Sequence, residues 1–444
     1  MSYRFRNILF FSFVGIFFIL TTIFSLYASG YRLSWDSVLR GKLPVQKTGI
    51  LVLDSNPKGA TISLERQFRG LFFDSNILKN KVIKTPYKIK NLLPGEYILR
   101  LESDGCWPFE QKINIHPGQS TYLEDIVLFK KNLPILFYPS SLQNISIDSS
   151  YQKILLNNDK ILFDLKDEKA IDLMDDTKTA EFVGDRKILL NSTVIFDYNK
   201  KKYLDWPEEE KANFSMAKII DKNLYYLKNN KELKTYGFAD NDPELIFSED
   251  DIIDYNFYNN FYYLVQKKAD TCLLKIYYKN KTLYKEFSLP ASDSYQILPI
   301  SGSSAFVYIY DKNFESIYVI NTASRLNSIW ATINNVKGFN FINNNSLVYF
   351  TDFEIFIFNT ISAEKNLLSR LENKITGVVW HPKGYVIYST DQNITIFDLK
   401  YEKNSINLIS LNAVSNLAMD RLGGVLYFSG KIGNQEGLFK LLIK

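Results

Sequence analysis

The residues that could do chemistry are few. His116 and His381 are the only imidazoles and Cys106 and Cys272 the only thiols in 444 residues, so a zinc centre built from several His or Cys ligands cannot be assembled. His381 falls in Trp380-His381-Pro382-Lys383-Gly384 and His116 precedes Pro117-Gly118, so each reads as a turn or surface histidine rather than a catalytic base. Gly430, Gly433 and Gly437 fit neither Gly-x-Gly-x-x-Gly nor a P-loop, which argues against nucleotide binding. Ser301-Gly302-Ser303-Ser304 is not a nucleophile elbow. The acidic runs Glu208-Glu209-Glu210 and Glu249-Asp250-Asp251 lack EF-hand spacing and read as solvated loops, at most a weak cation site. A carboxylate pair for glycoside hydrolysis would be gathered from distant parts of the chain, where spacing does not reveal it. The expectation is a chain with no catalytic residues, cofactor or metal.

Composition narrows the class further. At 23% charged and 46% hydrophobic residues the chain is ordinary globular material, long enough for about two to four domains. Its net charge of +5 is spread over interspersed acids and bases, with no nucleic-acid signature. The two cysteines make no disulfide framework, and whether they pair is open, so burial must hold the fold. Aromatic residues make up 15%, and rings suit pleated, half-buried surfaces, which points to a β-rich protein.

The first element is an anchor. From Ile8 to Tyr31 there is no charged side chain, and about 20 apolar residues suffice to cross a bilayer as a helix. Ile8, Phe11, Phe17, Ile19, Phe24 and Leu26 would meet lipid. Arg4 and Arg6 precede the run, while Arg32, Asp36 and Arg40 follow it as a mixture, which favours a cytoplasmic N-terminus and places the rest outside the cytoplasm. The run is longer than the usual apolar stretch of a signal peptide, about 7–15 residues, although Leu26-Tyr27-Ala28 would serve as a cleavage site. The expected product is a single-pass protein of the cell membrane, with a cytoplasmic tip and anchor over residues 1–31 and a linker over 32–47.

Short strands and Pro/Gly turns come next. Ala60, Ile62 and Leu64 alternate with polar neighbours, as do Tyr97, Leu99 and Leu101, the period of a strand with one buried face. Leu93-Pro94-Gly95-Glu96 and His116-Pro117-Gly118-Gln119 each set Pro before Gly and read as type II turns. Pro57-Lys58-Gly59-Ala60 makes a third reversal after Ile50-Leu51-Val52-Leu53.

In this order, Thr48-Gly49 with that strand, Ser55-Asn56-Pro57-Lys58-Gly59-Ala60, Thr85-Pro86-Tyr87, Leu93-Pro94-Gly95-Glu96-Tyr97, Gly105, Trp107 and His116-Pro117-Gly118 resemble the PEGA domain family over Thr48 to Phe129. Lys58 stands where the family motif has Glu, and about a dozen extra residues lie between Gly70 and Thr85. The resemblance implies a small β-sandwich, over residues 48–130, of a surface-exposed or membrane-anchored bacterial or archaeal protein, used in adhesion or scaffolding and without established catalytic residues. Pro57, Gly59, Ala60, Thr85, Pro86, Pro94, Gly95, Pro117 and Gly118 are then turn-forming residues. Trp107, beside Pro108 and Phe109, either stacks on a glycan or caps the core.

The remainder, residues 131–444, repeats. Apolar bursts such as Ile154-Leu155-Leu156, Ile188-Leu189-Leu190, Leu224-Tyr225-Tyr226-Leu227 and Val386-Ile387-Tyr388 recur about every 35–45 residues, the period of a propeller blade. A second burst often ends in Asp or Asn, as in Phe163-Asp164, Phe196-Asp197, Ile320-Asn321, Phe358-Asn359 and Phe397-Asp398. The two bursts read as the middle strands of a four-stranded blade, the Asp or Asn sitting at the following turn. Counting gives about seven to eight blades, with Leu133 to Tyr138 completing the blade that contains Phe439 to Ile443, at an edge because of Pro134. A β-sandwich array is the rival architecture.

The fold class expected is therefore all-β: a transmembrane helix, a small β-sandwich and a β-propeller. The expected role is non-catalytic, a scaffold at the cell envelope that holds the bilayer through its helix and binds a protein or glycan, not nucleic acid. The alternative is a propeller enzyme acting on polysaccharide or peptide through a channel carboxylate pair.

Overall fold

The computed structural model describes residues 3–33, 45–66, 82–148, 152–174, 176–184, 186–204, 210, 214–220, 222–238, 242–298, 305–400 and 405–444. They divide into two compact units, one within residues 1–132 and 443–444, the other within residues 133–400 and 405–442.

The first unit begins with a helix, Tyr3–Ala28. Its 26 residues reach about 39 Å, more than the roughly 30 Å of a bilayer core. Within Arg6–Ala28 the most apolar stretch has a mean hydropathy of 2.4 and none of it is buried. The Thr21 and Thr22 hydroxyls donate to the Phe17 and Phe18 carbonyls at 2.8 and 2.9 Å, so neither needs a partner from its surroundings. The helix stops at Gly30, whose φ of +84° suits glycine. The Gly30 carbonyl then accepts both the backbone N–H and the hydroxyl of Thr48, at 2.9 and 2.7 Å.

The expected linker over 32–47 is not a plain tether. Tyr31–Leu33 pairs antiparallel with Val45–Lys47, which returns the chain to its starting point because the N–H and C=O groups of each end find partners in the other. Residues 34–44 lie outside the described residues.

Two sheets follow. In one, Gly49–Asn56 runs between Tyr87–Leu92, antiparallel, and Ser120–Val127, parallel. The other has the order Ile83–Lys84, Thr61–Arg66, Gly95–Glu102, Phe109–Ile115. The alternation read from the sequence is the burial pattern: Ala60, Ile62 and Leu64, and Tyr97, Leu99 and Leu101, face a core shared with Leu51, Leu53, Ile89 and Leu123 of the first sheet. Each such aliphatic side chain contributes about 1.5–3 kcal/mol of burial.

In the second unit the described residues form eight four-stranded antiparallel sheets. Numbered along the chain, they span residues 145–172, 180–204, 214–248, 252–289, 295–333, 338–370 and 375–410, and the eighth combines 413–442 with Ile135–Pro139. In each of the first seven the strand order is the chain order, and the apolar bursts are the second and third strands. The eighth takes its outermost strand, Ile135–Pro139, from the other end of the unit, paired with Gln435–Leu442.

Hydrophobic cores lie between neighbouring sheets. One holds Leu162 with Ile188, the next Leu189 with Leu224, then Leu233 with Tyr255, Leu274 with Ile309, Tyr308 with Leu347, and Val348 with Val386. Gly377 of the seventh sheet lies against the backbone of Asn416 and Leu417 of the eighth. A last core joins Ala418, Tyr427 and Leu438 to Ile145, Ile154 and Phe163, the eighth sheet to the first. This cyclic packing of similar sheets is propeller-like.

The Asp and Asn residues that end third strands hold the turns. Asp197 Oδ1 accepts the N–H groups of Asn199 and Lys200 at 3.1 and 3.0 Å, and Asn321 and Asn359 do the same for the residues two and three places on. Asp164 accepts from Lys166 and Asp167, and Asp398 from Lys400. These are Asx turns, and the five lie in the first, second, fifth, sixth and seventh sheets.

Candidate functional site

The motif residues of the small domain meet in one buried network. The Ser55 hydroxyl donates to the Pro57 carbonyl at 2.8 Å. With that proton committed, the Thr85 hydroxyl donates to Ser55 Oγ at 2.6 Å and accepts the Ala60 N–H at 3.0 Å. Backbone bonds from Gly59 N to the Thr85 carbonyl, 2.8 Å, and from Thr85 N to the Ala60 carbonyl, 2.9 Å, complete the joint. Pro57 and Pro86 follow cis peptide bonds and Gly59 has φ +89°. Every polar group is satisfied inside the protein, so the cluster holds the two sheets together and offers nothing to a ligand.

The two Pro-Gly turns differ. At His116–Gln119 the Gln119 N–H reaches the His116 carbonyl at 3.3 Å and Gly118 has φ +71°, as a type II turn requires. Leu93–Glu96 is not such a turn: Gly95 has φ +142° and opens the strand Gly95–Glu102. Here the chain is fixed by side chains instead, with Arg66 Nη2 donating to the Pro94 carbonyl at 2.9 Å and the Tyr97 hydroxyl to the Leu93 carbonyl at 2.6 Å. The dipeptide alone did not reveal those two distant anchors.

Trp107 is half-buried, and its indole N–H is buried with no partner among the described residues. The Lys131 ammonium stands 4.9 Å from its ring centroid, so the ring is a cation–π partner. Cys106 and Cys272 are both buried and unpaired. The lipid-facing candidates Ile8, Phe11, Phe17, Ile19, Phe24 and Leu26 are all exposed on the helix.

Several sequence expectations are corrected. His381 is fully buried, not at the surface. It sits at a turn, where its Nδ1 accepts the Lys383 N–H at 3.1 Å, leaving Nε2 to donate to the Gly423 carbonyl of the eighth sheet at 2.9 Å. Glu210 and Glu249 are not in solvated loops. Each is half-buried and needs counter-charges: Lys234, Lys228 and the Tyr226 hydroxyl hold Glu210, and Lys275 and the Tyr277 hydroxyl hold Glu249. Glu208 and Glu209, Ser301–Ser304 and residues 67–81 lie outside the described residues.

Sequence reasoning did not find the residues that line two cavities in the second unit, because it tracked the apolar middle strands. The first strands, weakly apolar and polar at alternate positions, carry them. Asp254 and Asn256 in one strand and Asn340 in another were the available signal. One cavity, about 380 Å³, lies among the first strands of the second to fifth sheets and is lined by Glu181, Lys218, Asp254, Asn256, Gln296 and Lys312, with apolar neighbours. Asp254 is buried; its Oδ1 accepts from Lys218 Nζ at 2.5 Å and its Oδ2 from the Ile297 N–H at 2.6 Å. It thus links three sheets. Glu181 makes no hydrogen bond among the described residues, and burial pushes its carboxyl up from the ordinary value while Lys312 and Lys218 pull it partly back.

The second cavity, about 500 Å³, is lined from the first, sixth, seventh and eighth sheets. Asp420 on its rim is committed to its own loop, accepting the Gly424 and Val425 N–H groups at 2.7 Å each. Among the described residues no cluster of three His, Cys, Asp or Glu is arranged to hold a metal.

No curated protein sequence matches this chain. Among solved structures, it is similar to the computationally designed Ika8 protein at 13% identity and a TM-score of 0.47, covering 69% of this chain and 97% of that one. It is similar to a propeller of Dos1 at 12% and 0.47, covering 70% and 95%. A chain of a mitotic checkpoint complex follows at 10% and 0.39, covering 70% and 95%. At these scores the likenesses bear on nothing beyond themselves, and the propeller-like arrangement stands on the strand pairing and cores of this chain. The network of Ser55, Ala60 and Thr85, the turn at Gly118 and the corner at Tyr97 belong to a segment that a domain-family model matches directly: residues 48–128 are a PEGA domain.

Proposed function

We propose that this is a single-pass membrane protein whose helix Tyr3–Ala28 lies in the bilayer with its N-terminus in the cytoplasm. Its PEGA domain, a small β-sandwich, and its second unit, a closed propeller of eight blades, stand outside the cytoplasm and bind a protein or glycan of the envelope without catalysis. One observation carries the reading. The helix is apolar on all sides and, among the described residues, no core covers it and every other long element is a strand; such a surface calls for lipid. Arg4 and Arg6 at its start support the orientation, and the PEGA domain supports a place outside the cytoplasm.

Support for binding over catalysis comes from the carboxylates. Asp254 has both oxygens engaged in joining sheets, which leaves Glu181 as the one uncommitted carboxylate among the described residues of its cavity. A hydrolytic pair needs two.

The test has two parts. Protease added to intact cells should trim residues 133–444 without lysis, and the N-terminal sequence of the mature protein should begin ahead of Ile8, as an uncleaved anchor requires. Capture from intact envelopes with the full chain in detergent should then retrieve a partner. Cleavage only after lysis would overturn the topology, and a mature chain starting near Ser29 would overturn the anchor.

A further inference from the structure

We propose that the cavity lined from the first, sixth, seventh and eighth sheets is a binding site for a carboxylate borne on an apolar body. The inference rests on the binding role proposed above and gives it a ligand class. The lining includes the apolar residues Phe341, Ile342, Val379, Pro382, Leu417 and Met419. Beside them stand two donors with no protein partner among the described residues. Arg421 is exposed at the cavity and makes no ion pair or hydrogen bond among the described residues. Trp380, half-buried with its indole packed onto the core of the sixth and seventh sheets, makes no hydrogen bond through Nε1 among them.

The one carboxylate in the lining is already taken. Asp420, next in sequence to Arg421, spends its carboxylate on the N–H groups of Leu422, Gly424 and Val425. Asn340 donates its amide to the Val378 carbonyl at 2.8 Å, bridging the sixth and seventh sheets. The cavity therefore presents a guanidinium and an indole N–H, neither with a protein partner among the described residues, beside aromatic and aliphatic residues. A guanidinium prefers a carboxylate, which it can grip by two parallel bonds, and the walls favour an apolar remainder. A neutral polyol would leave the charge unmet, and a cation would be repelled by it. A free small acid and the C-terminal carboxylate of a peptide share this chemistry.

Full-length protein in detergent, titrated with 3-phenylpropionate and with its amide and followed by calorimetry and tryptophan fluorescence, provides the test. The acid should bind saturably and the amide about tenfold or more weakly, as loss of a charged hydrogen-bond partner implies. Arg421→Gln should abolish the preference for the acid, Arg421→Lys should keep part of it, and Trp380→Phe should weaken both probes while removing the fluorescence change. An apolar peptide with a free C-terminus, set against its amidated form, tells the two sources apart: tighter binding of the free peptide than of the small acid assigns the site to chain termini, and the reverse assigns it to small acids. Equal binding of acid and amide, no binding of any probe, or an unchanged preference in a folded Arg421→Gln variant would overturn the inference. Envelope capture that is equal for wild type and Arg421→Gln would leave the broader binding role standing while this site falls; failed capture by both would strike the role itself.

Discussion

Asn416 clasps the backbone of Ile145 from both sides. Its Nδ2 donates to the Ile145 carbonyl at 2.9 Å and its Oδ1 accepts the Ile145 N–H at 3.2 Å. Two residues on, Ala418 joins the core that the two sheets share, and one residue back, the Ser415 hydroxyl donates to the Gln143 carbonyl at 2.6 Å. The last sheet thus meets the first through side chains that imitate a strand pairing. Replacing Asn416 by Ala leaves a buried N–H and C=O without partners, at a cost of about 1–3 kcal/mol. Thermal unfolding followed by near-UV circular dichroism should show a lower Tm for the second unit.

Asp254 gives a sharper prediction. Its carboxylate is buried and neutralised by Lys218. Lys218→Met strands that charge and should destabilise by about 3–5 kcal/mol. Adding Asp254→Asn removes the charge and should recover part of the loss. Urea denaturation of the three variants measures both steps, and an Asn replacement that deepens the loss would show that the Ile297 N–H bond outweighs the ion pair.

In the PEGA domain, Thr85→Val keeps the shape and deletes the hydroxyl. The Ala60 N–H and Ser55 Oγ then lose their partner, which costs about 1–3 kcal/mol. Limited proteolysis between residues 48 and 128 should become faster, while the melting of the second unit stays put.

Two carboxylates should respond to pH in opposite directions. Burial lifts the Glu181 carboxyl above its ordinary 4.5, with Lys312 and Lys218 opposing, so the folded state holds that proton more tightly than the unfolded chain. Its stability contribution is complete below pH 4.5 and is lost as pH rises through the folded value. Glu181→Gln should therefore raise Tm at pH 7 and change nothing at pH 4. For Glu210, burial works upward, but hydrogen bonds from Lys234 and Tyr226 and the charges of Lys234 and Lys228 outweigh it, and the carboxyl lies below 4.5. That contribution is present above 4.5 and is lost as pH falls through the folded value, so Glu210→Gln should lower Tm at pH 7 and matter less in acid. Melting curves from pH 3 to pH 8 separate the two.

What was legible in the sequence was whatever repeats locally. The inward faces at Leu99 and Leu64 follow from a two-residue period, and the turns after Asp197 and Asn359 from a side chain reaching two residues on. Eight sheets lie within the range the burst spacing allowed. Less legible were features made by distant pairs. Arg66 fixes the chain at Pro94, Gly423 takes in His381, and Lys234 draws Glu210 inward; in each case a short polar motif was read as exposed or self-contained because its partner lay one strand or one sheet away. The cavity residues Glu181, Trp380 and Arg421 escaped for the same reason, since different repeats contribute them and no spacing along the chain joins them.

The strand Ile135–Pro139 has a consequence for how the protein is made. It leaves the ribosome before the other strands of the eight sheets, yet its partner, Gln435–Leu442, is translated about 300 residues later. At about 5–20 residues per second, this early edge waits roughly 15 to 60 seconds, with Leu133 and Ile135 offered to any passing chain. A nascent-chain holdase, or a translocation channel that keeps the segment shielded, would have its greatest effect on this stretch, and a message truncated just before Gln435 would leave the circle permanently open at that point.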